Sequence, residues 1–145
     1  MTFTQSNFRF PFPLVLFLIL LSLGSCSSGL EDKLIGTWQG SDYLFAKNEG
    51  PDLVATLNGG LEQHLMSTLT LSEDGTFAKL VGEYDNGKGT WEVKEELLIT
   101  TNEEGDKFYY TLLKVTDTEL VTSQEVHTDT PGGKISGKII LNYTR

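Results

Sequence analysis

The sequence predicts an all-β fold, an eight-stranded antiparallel up-and-down β-barrel that follows a short N-terminal helical turn. From Gly36 onward, short segments alternate between apolar and polar residues, which is the pattern of strands with one buried face. Clusters of Gly, Asn and Asp separate these segments, as in consecutive hairpins. The segments number eight, enough for a sheet to close on itself, and two stacked sheets are the competing arrangement.

The predicted strands are short and end at turn residues. Asp74-Gly75 supplies the positive φ that a tight hairpin requires. Further turns fall at residues 85–89 and 102–106, and a longer loop is predicted at 127–133. In chain order, the strands cover residues 36–46, 65–71, 76–84, 90–94, 97–101, 108–115, 120–126 and 135–143.

Residues 50–63 interrupt the strand pattern. Pro51 is a favourable first residue for a helix, and Asn58-Gly59-Gly60 would end that helix after a short run. The segment therefore forms either a short helical lid or a long loop at the barrel mouth.

Residues 1–25 have the features of an export signal. Arg9 is the one charged residue among them, and an unbroken apolar stretch follows at residues 14–21. A membrane-spanning helix needs about 20 consecutive apolar residues. Because Pro13 and Ser22 bound the apolar stretch, it is too short to serve as a stable anchor.

Residues 23–26 read Leu-Gly-Ser-Cys and resemble the lipobox of bacterial lipoproteins. Small residues let a signal peptidase reach the bond before Cys26, and only a thiol forms the thioether to diacylglycerol. Cys26 is the single cysteine of the chain, so it cannot form an internal disulfide. The resemblance implies that residues 1–25 are removed and that Cys26 carries palmitate-type acyl chains.

Lipidation of Cys26 would make the membrane a partner of the protein. Each buried methylene contributes about 0.8 kcal/mol, so several long chains hold a protein on a bilayer almost irreversibly. Residues 26–33 then form a tether, and residues 34–145 form the exported domain. We expect this domain to lie at the bacterial cell envelope, on the outer membrane, facing the periplasm or the cell surface.

The charge of the mature chain excludes one class of partner. Removing residues 1–25 takes Arg9 from the 11 Lys and Arg residues and none of the 20 acids, which leaves 10 cations against 20 acids. A domain with this excess of acids repels nucleic acid and anionic headgroups. We therefore expect no nucleic-acid partner.

Gly36-Thr37-Trp38 resembles the opening motif of the lipocalins, in which a helical turn precedes Gly-x-Trp at the start of the first strand. The glycine permits a close approach, and the indole closes one end of the barrel. In that family a cation on the last strand packs across the indole, and the resemblance assigns this role to Arg145. Residues 70–77, 89–93 and 116–120 also resemble the lipocalin-like lipoproteins of Bacteroidetes.

The sequence offers no catalytic or metal-binding signature. His64 and His127 are isolated from thiols and carboxylates at metal-ligand spacing. Acidic residues crowd the turns without the spacing of a calcium loop, and no serine-nucleophile elbow or phosphate-binding glycine loop occurs. We therefore expect a protein that is not an enzyme and needs no cofactor.

The apolar residues expected on the inner face are the candidates for a ligand-binding lumen. Small residues on the strands, Ser67, Gly82 and Gly137, are expected to leave room there. The candidate lining residues are Leu69, Leu71, Phe77, Tyr84, Trp91, Val93, Ile99, Tyr110, Leu112, Ile139 and Leu141.

Two functions follow from this interpretation. The first is binding of a small hydrophobic ligand inside the barrel. The alternative is an envelope interaction or inhibitor module with a packed barrel core, which contacts another protein through residues 48–63 and 127–133. The sequence identifies no protein partner.

Overall fold

The structure, a computed structural model, describes residues 28–50, 54–81, 87–130 and 133–145. Two helices and eight strands follow one another along these residues. They are α1 (Ser28–Leu34), β1 (Gly36–Glu49), α2 (Val54–Leu65), β2 (Thr68–Leu71), β3 (Thr76–Leu80), β4 (Gly87–Lys94), β5 (Leu97–Asn102), β6 (Lys107–Val115), β7 (Glu119–Thr130) and β8 (Gly133–Thr144).

The eight strands form one closed antiparallel barrel. Each strand pairs with its neighbour in sequence, and β1 pairs a second time with β8, where Gly40 lies opposite Tyr143. Closure gives every strand two partners and leaves no free sheet edge. The predicted up-and-down barrel is confirmed, and the arrangement of two stacked sheets is excluded.

The core lies at the end of the barrel where β1 starts and β8 ends. Its members share the inner face of their strands, apart from Leu34 at the end of α1. The buried core residues are Leu34, Trp38, Leu69, Leu71, Phe77, Leu98, Leu112, Leu120 and Tyr143. We call this part of the barrel the closed end and the opposite part, where α2 lies, the open end.

The fifth strand corrects one predicted lining residue. Leu98 pairs with Val93 and Tyr110, which face the lumen. Ile99 pairs with Glu92 and Tyr109 and therefore faces outward, although it is only 6% exposed. The prediction that Ile99 lines the lumen is wrong, because residues 97–99 are apolar on both faces and only the pairing with β4 and β6 decides which side faces inward.

The segment between β1 and β2 is a helix, which was one of its two predicted forms; the other was a long loop. It is longer than predicted, because α2 continues through Asn58-Gly59-Gly60 and ends at Leu65, inside the segment predicted as the second strand. At Gly60 a Cβ atom would lie 3.2 Å from the Tyr43 ring, so glycine lets α2 pack closely on β1. This tertiary contact outweighs the low helix propensity of glycine.

The last hairpin is longer than the sequence predicted. β7 reaches Thr130 and β8 begins at Gly133, so most of the predicted loop at residues 127–133 is strand. His127 lies opposite Ser136 and Thr128 opposite Ile135. The ladder continues because β-branched threonines suit strands and find partners on β8.

Candidate functional site

Trp38 seals the closed end of the barrel. Its side chain is fully buried, and its Nε1–H donates a 2.8 Å hydrogen bond to the carbonyl of Leu34. The guanidinium carbon of Arg145 lies 4.1 Å from the centre of the Trp38 ring. A cation over an indole face is attracted by the ring quadrupole, so the contact holds both side chains in place.

Arg145 also ties three chain segments together. Its Nη1 and Nη2 donate to the carbonyls of Ile35 (2.6 Å) and Lys33 (3.2 Å), and its Nε donates to the carbonyl of Asp117 (2.6 Å). Gly36 has φ of 135°, and a Cβ there would lie 2.6 Å from Nη1 of Arg145. Glycine is therefore required beneath the guanidinium, both for its backbone conformation and for space.

A small cavity remains inside the barrel above this plug. We call it the inner cavity, and its volume is about 20 Å³. Three of the predicted lining residues, Leu69, Phe77 and Tyr110, contact it. Among the described residues, its lining is Leu69, Phe77, Lys79, Leu98, Thr100, Tyr110, Thr122 and Tyr143.

A larger cavity opens above the inner one, toward the open end. This outer cavity has a volume of about 280 Å³ and shares Phe77, Lys79, Thr100 and Tyr110 with the inner cavity. The two cavities therefore adjoin each other. The other lining residues that the structure describes are Gly87, Lys88, Asn102, Glu103, Glu104 and Phe108.

Other predicted lining residues support the walls rather than the cavities. Leu71 and Leu112 are buried in the core, and Trp91, Val93 and Leu141 pack against it. Ile139 shares the inner face with Leu141 because its partner on β7 is Gln124, two positions beyond Thr122. Tyr84 and Cys26, the predicted site of lipid attachment, lie outside the described residues.

The small residues do not leave the space that was expected of them. A Cβ at Gly137 would lie 2.6 Å from the Phe45 ring, so that ring occupies the position. Ser67 is buried, and its hydroxyl donates a 2.7 Å hydrogen bond to the carbonyl of His64. Gly82 lies outside the described residues.

Five residues that line the inner cavity were missed, and four of them are polar. They are Lys79, Leu98, Thr100, Thr122 and Tyr143. Lysine and threonine are not among the apolar residues expected on an inner face, which accounts for three of the five. Alternation alone could have found three of them, including Tyr143, which lies two residues after Leu141. Lys79 lies two residues after Phe77, and Thr122 lies two residues after the buried Leu120.

His64 fastens α2 to the barrel. Its Nε2 lies 2.8 Å from the carbonyl of Asn142 on β8, and since a carbonyl only accepts, Nε2 carries the proton. Its Nδ1 lies 3.3 Å from the Ser67 hydroxyl. The ring also meets the Tyr143 ring edge to face, with centroids 4.7 Å apart. The end of α2 is therefore held against the inner wall of the barrel.

Burial also shifts two titrating groups at this wall. It lowers the pKa of His64, and the nearby Lys79 acts in the same direction, against the Asn142 carbonyl and Asp42. Burial raises the pKa of Tyr143 well above its ordinary value, with a further contribution from Tyr110. Tyr143 therefore stays protonated and can donate a hydrogen bond.

We expect His64 to make stability depend on pH. In the unfolded chain a histidine takes up a proton near pH 6.5, whereas folded His64 stays neutral to a lower pH. Acid therefore favours the unfolded state. The contribution of His64 is complete above pH 6.5 and declines as the pH falls through the lowered pKa of the folded protein.

Urea unfolding at a series of pH values from 8 to 5 measures this effect. His64→Gln should flatten the decline below pH 6.5, whereas His127→Gln, at an exposed histidine of β7, should keep it. Equal pH profiles for wild type and His64→Gln would contradict the assignment.

The described residues give no metal site and no membrane-spanning helix. Within them, no three His, Cys, Asp or Glu side chains lie close enough together to hold a metal ion. Neither α1 nor α2 is long and apolar enough to cross a membrane. The residues that line the two cavities offer hydrogen-bonding groups and apolar surface.

Comparison with known families agrees with this architecture. The sequence model of the lipocalin-like domain family matches residues 34–122, from the end of α1 into β7. The match includes the Gly-x-Trp motif and covers more than half of the chain. No curated protein shows significant similarity to it. The closed eight-stranded barrel and the family match together establish that the chain belongs to the lipocalin-like domain family.

Proposed function

We propose that this protein is an exported, lipid-anchored lipocalin-like protein that binds a small ligand in the open half of its barrel. The outer cavity carries the proposal. It has a volume of about 280 Å³, opens at the end opposite the Trp38 plug, and continues into the lumen. Ligand sites of barrel proteins commonly occupy such a mouth.

The walls of the outer cavity suit an amphipathic molecule. Phe77, Phe108 and Tyr110 offer apolar surface, and burial of such surface contributes about 25 cal/mol per Å². Lys88 and Glu103 at the rim form a 3.2 Å ion pair that remains largely exposed. The ligand is short, because the outer cavity has a volume of about 280 Å³ and the inner cavity below it adds only about 20 Å³.

The proposed anchor gives the barrel an orientation. Helix α1 begins at Ser28, close in sequence to Cys26, and ends at Leu34, which is buried at the closed end. Acyl chains on Cys26 would therefore bring the closed end nearest to the membrane. The open end would face the aqueous phase, where it can receive a water-borne ligand.

Mass spectrometry of the protein purified from its own host tests both parts of the proposal. Under native conditions we expect an additional mass of a few hundred daltons at most, in keeping with the size of the outer cavity. Under denaturing conditions we expect a chain that begins at Cys26 and carries acyl groups. A Cys26→Ser variant should lose the acyl mass and leave the membrane fraction.

The small volume of the inner cavity favours the alternative function, an envelope interaction or inhibitor module with a packed core. The same native spectrum separates the two functions. A bound small molecule supports the ligand-binding protein. A spectrum without added mass, together with no stabilisation by any compound in a thermal screen, would leave the interaction module.

A further inference from the structure

The second half of β7 continues past the closed wall of the barrel. β6 pairs with β7 only as far as the position where Thr111 lies opposite Ser123, whereas β8 pairs with β7 up to Thr130. Within the part of the chain that the structure describes, residues 124–130 therefore have a strand partner on one side alone. The closed wall has no free edge, but β7 has one beyond that wall. We call residues 124–130 the β7 edge.

A bulge in β6 accounts for the end of the pairing. The register between β6 and β7 shifts between Leu112 and Lys114, so Leu113 is an extra residue in β6. A bulge bends its strand, increases the local twist and often ends the pairing of two strands. Residues 107–110 of β6 keep their partners on β5 and make no pair with β7. The β7 edge is therefore built into the register of the sheet and is not a frayed chain end.

Beyond its pairing with β8, the backbone of the β7 edge has no hydrogen-bond partner among the described residues. No bond from a loop, a turn or a side chain reaches the backbone of residues 124–130. The side chains of Glu125, His127 and Asp129 are exposed. An exposed edge strand presents a row of unpaired N–H and C=O groups, which is a template for another strand.

The inner face of the β7 edge offers apolar contacts. Thr122 faces the inner cavity, so alternation places Val126 on the same face of the strand. Phe108 and Tyr110 line the outer cavity, and they lie on the half of β6 that does not pair with β7. Phe108 remains 39% exposed. A strand that pairs with the β7 edge would therefore bury apolar residues near aromatic rings on its inner face.

The outer face of the β7 edge is acidic. Glu125 and Asp129 lie there, and each has a lysine opposite on β8, namely Lys138 and Lys134. Glu125 and Lys138 form a 3.1 Å ion pair. A strand on the other side of β7 would lie beside the same two carboxylates, where opposite charges favour pairing and like charges oppose it. The edge therefore favours basic residues, as does the excess of 20 acids over 11 Lys and Arg residues in the chain.

We propose that the β7 edge binds an extended segment of another protein, which adds to the sheet as a strand and alternates basic with apolar residues. Backbone hydrogen bonds supply the affinity of such strand addition, and the side chains supply its specificity. The basic residues lie beside Glu125 and Asp129, and the apolar ones lie on the face of Val126. This inference goes beyond the proposed function and does not require a ligand in the outer cavity.

Amide hydrogen exchange tests whether the edge is free. The protein is purified from its own host in neutral detergent, and exchange is followed residue by residue by NMR. In the β7 edge we expect slow and fast amides to alternate, because every second residue directs its N–H to β8 and the others direct it to solvent. Residues 120–122 have partners on both sides and should exchange slowly throughout.

Synthetic peptides test the chemistry of the partner. The probe alternates lysine with valine over about seven residues, an ordinary strand length. One comparison peptide has glutamate in place of lysine. Another keeps the lysine and valine side chains on a backbone that is N-methylated throughout, which removes its hydrogen-bond donors. By calorimetry we expect the lysine peptide to bind about tenfold more tightly than either comparison peptide and to slow the fast amides of the β7 edge.

Charge variants locate the lysine peptide on the outer face. Glu125→Gln combined with Asp129→Asn should lower affinity for this peptide about fivefold, since two favourable charge pairs are lost. Glu95→Gln combined with Glu96→Gln is the matched control, because it removes the same charge from the turn between β4 and β5. The control should retain the affinity to within about twofold, because exposed charges at a distance are screened.

The measurements overturn the proposal in several ways. Equal binding of the lysine and N-methylated peptides would exclude strand addition, as would binding that leaves the fast amides unchanged. Equal binding of the lysine and glutamate peptides, or no binding of the lysine peptide, would exclude a basic partner strand. Protection of the fast amides that rises with protein concentration, without peptide, would assign the edge to a second copy of the chain. Uniformly slow exchange at every concentration would show that the edge is already covered.

Discussion

Replacing Trp38 by alanine should lower the free energy of unfolding by about 3–5 kcal/mol. The side chain is fully buried at the closed end, and its loss leaves a cavity that the closed barrel cannot collapse to fill. The carbonyl of Leu34 loses the Nε1–H donor, and Arg145 loses the aromatic face on which it lies. Several contacts between α1, β1 and the end of β8 are therefore lost together.

Urea unfolding followed by circular dichroism measures the Trp38→Ala effect. Tyr109→Ala provides the control, because Tyr109 is another large aromatic residue but is 52% exposed on the outer face of β6. We expect the control to change the free energy of unfolding by about 0.5 kcal/mol or less. A loss of less than about 1 kcal/mol for Trp38→Ala would show that the indole is not the plug of the barrel.

Gly40→Ala is the second substitution with a large expected effect, a loss of about 3 kcal/mol. A Cβ at this position would lie 1.8 Å from the carbonyl oxygen of His64 and 2.8 Å from the hydroxyl of Ser67. The first of these atoms belongs to the backbone and cannot rotate away. The N–H of Gly40 also donates a 2.9 Å hydrogen bond to the carbonyl of Ser67, so β1 cannot retreat without losing that bond.

The expected consequence of Gly40→Ala is detachment of α2 from the barrel. Hydrogen exchange should speed up in α2 and at the start of β2, more than at the closed end around Leu120. Gly29→Ala is the control, because Gly29 lies in α1 with open space around its Cβ position, and alanine there should be neutral or slightly stabilising. Unchanged exchange in α2 would contradict the close approach of His64 to Gly40.

The alternation of residues predicted the strands, and their number of eight favoured a closed barrel over two stacked sheets. Leu69 and Leu71 on β2 alternate with polar residues, so one face of the strand had to be buried. Turn residues such as Asp74-Gly75 separated the strands. The contact of Arg145 with Trp38 joins residues at opposite ends of the domain, so no local pattern predicts it. It was predicted from the resemblance to lipocalins.

Predictions from the sequence were wrong where strand pairing or a tertiary contact decides the direction of a side chain or the length of a helix. The direction of Ile99 depends on its partners Glu92 and Tyr109, because the residues before it are apolar as well. The length of α2 depends on the space between Gly60 and Tyr43, whereas the local signal at Gly60 indicated a helix end.

The candidate site was less predictable than the fold. From the sequence alone, an inward-facing lysine or threonine cannot be told from a surface residue. The closed barrel shows that Lys79 and Thr122 face the same cavity. The sequence therefore predicted the apolar residues of the cavity lining better than its polar residues.

Pairing between β1 and β8 has a consequence for how the chain reaches its native state. Asp42 and Asn142 lie opposite each other although they are 100 residues apart in sequence. Contacts between residues so far apart in sequence form slowly, because a long loop must close first. A nascent chain cannot complete the ladder before β8 has been synthesised, and until then β1 and β7 keep unpaired edges that invite aggregation. The barrel therefore closes only after β8 is available, and closure is expected to be a late step of folding.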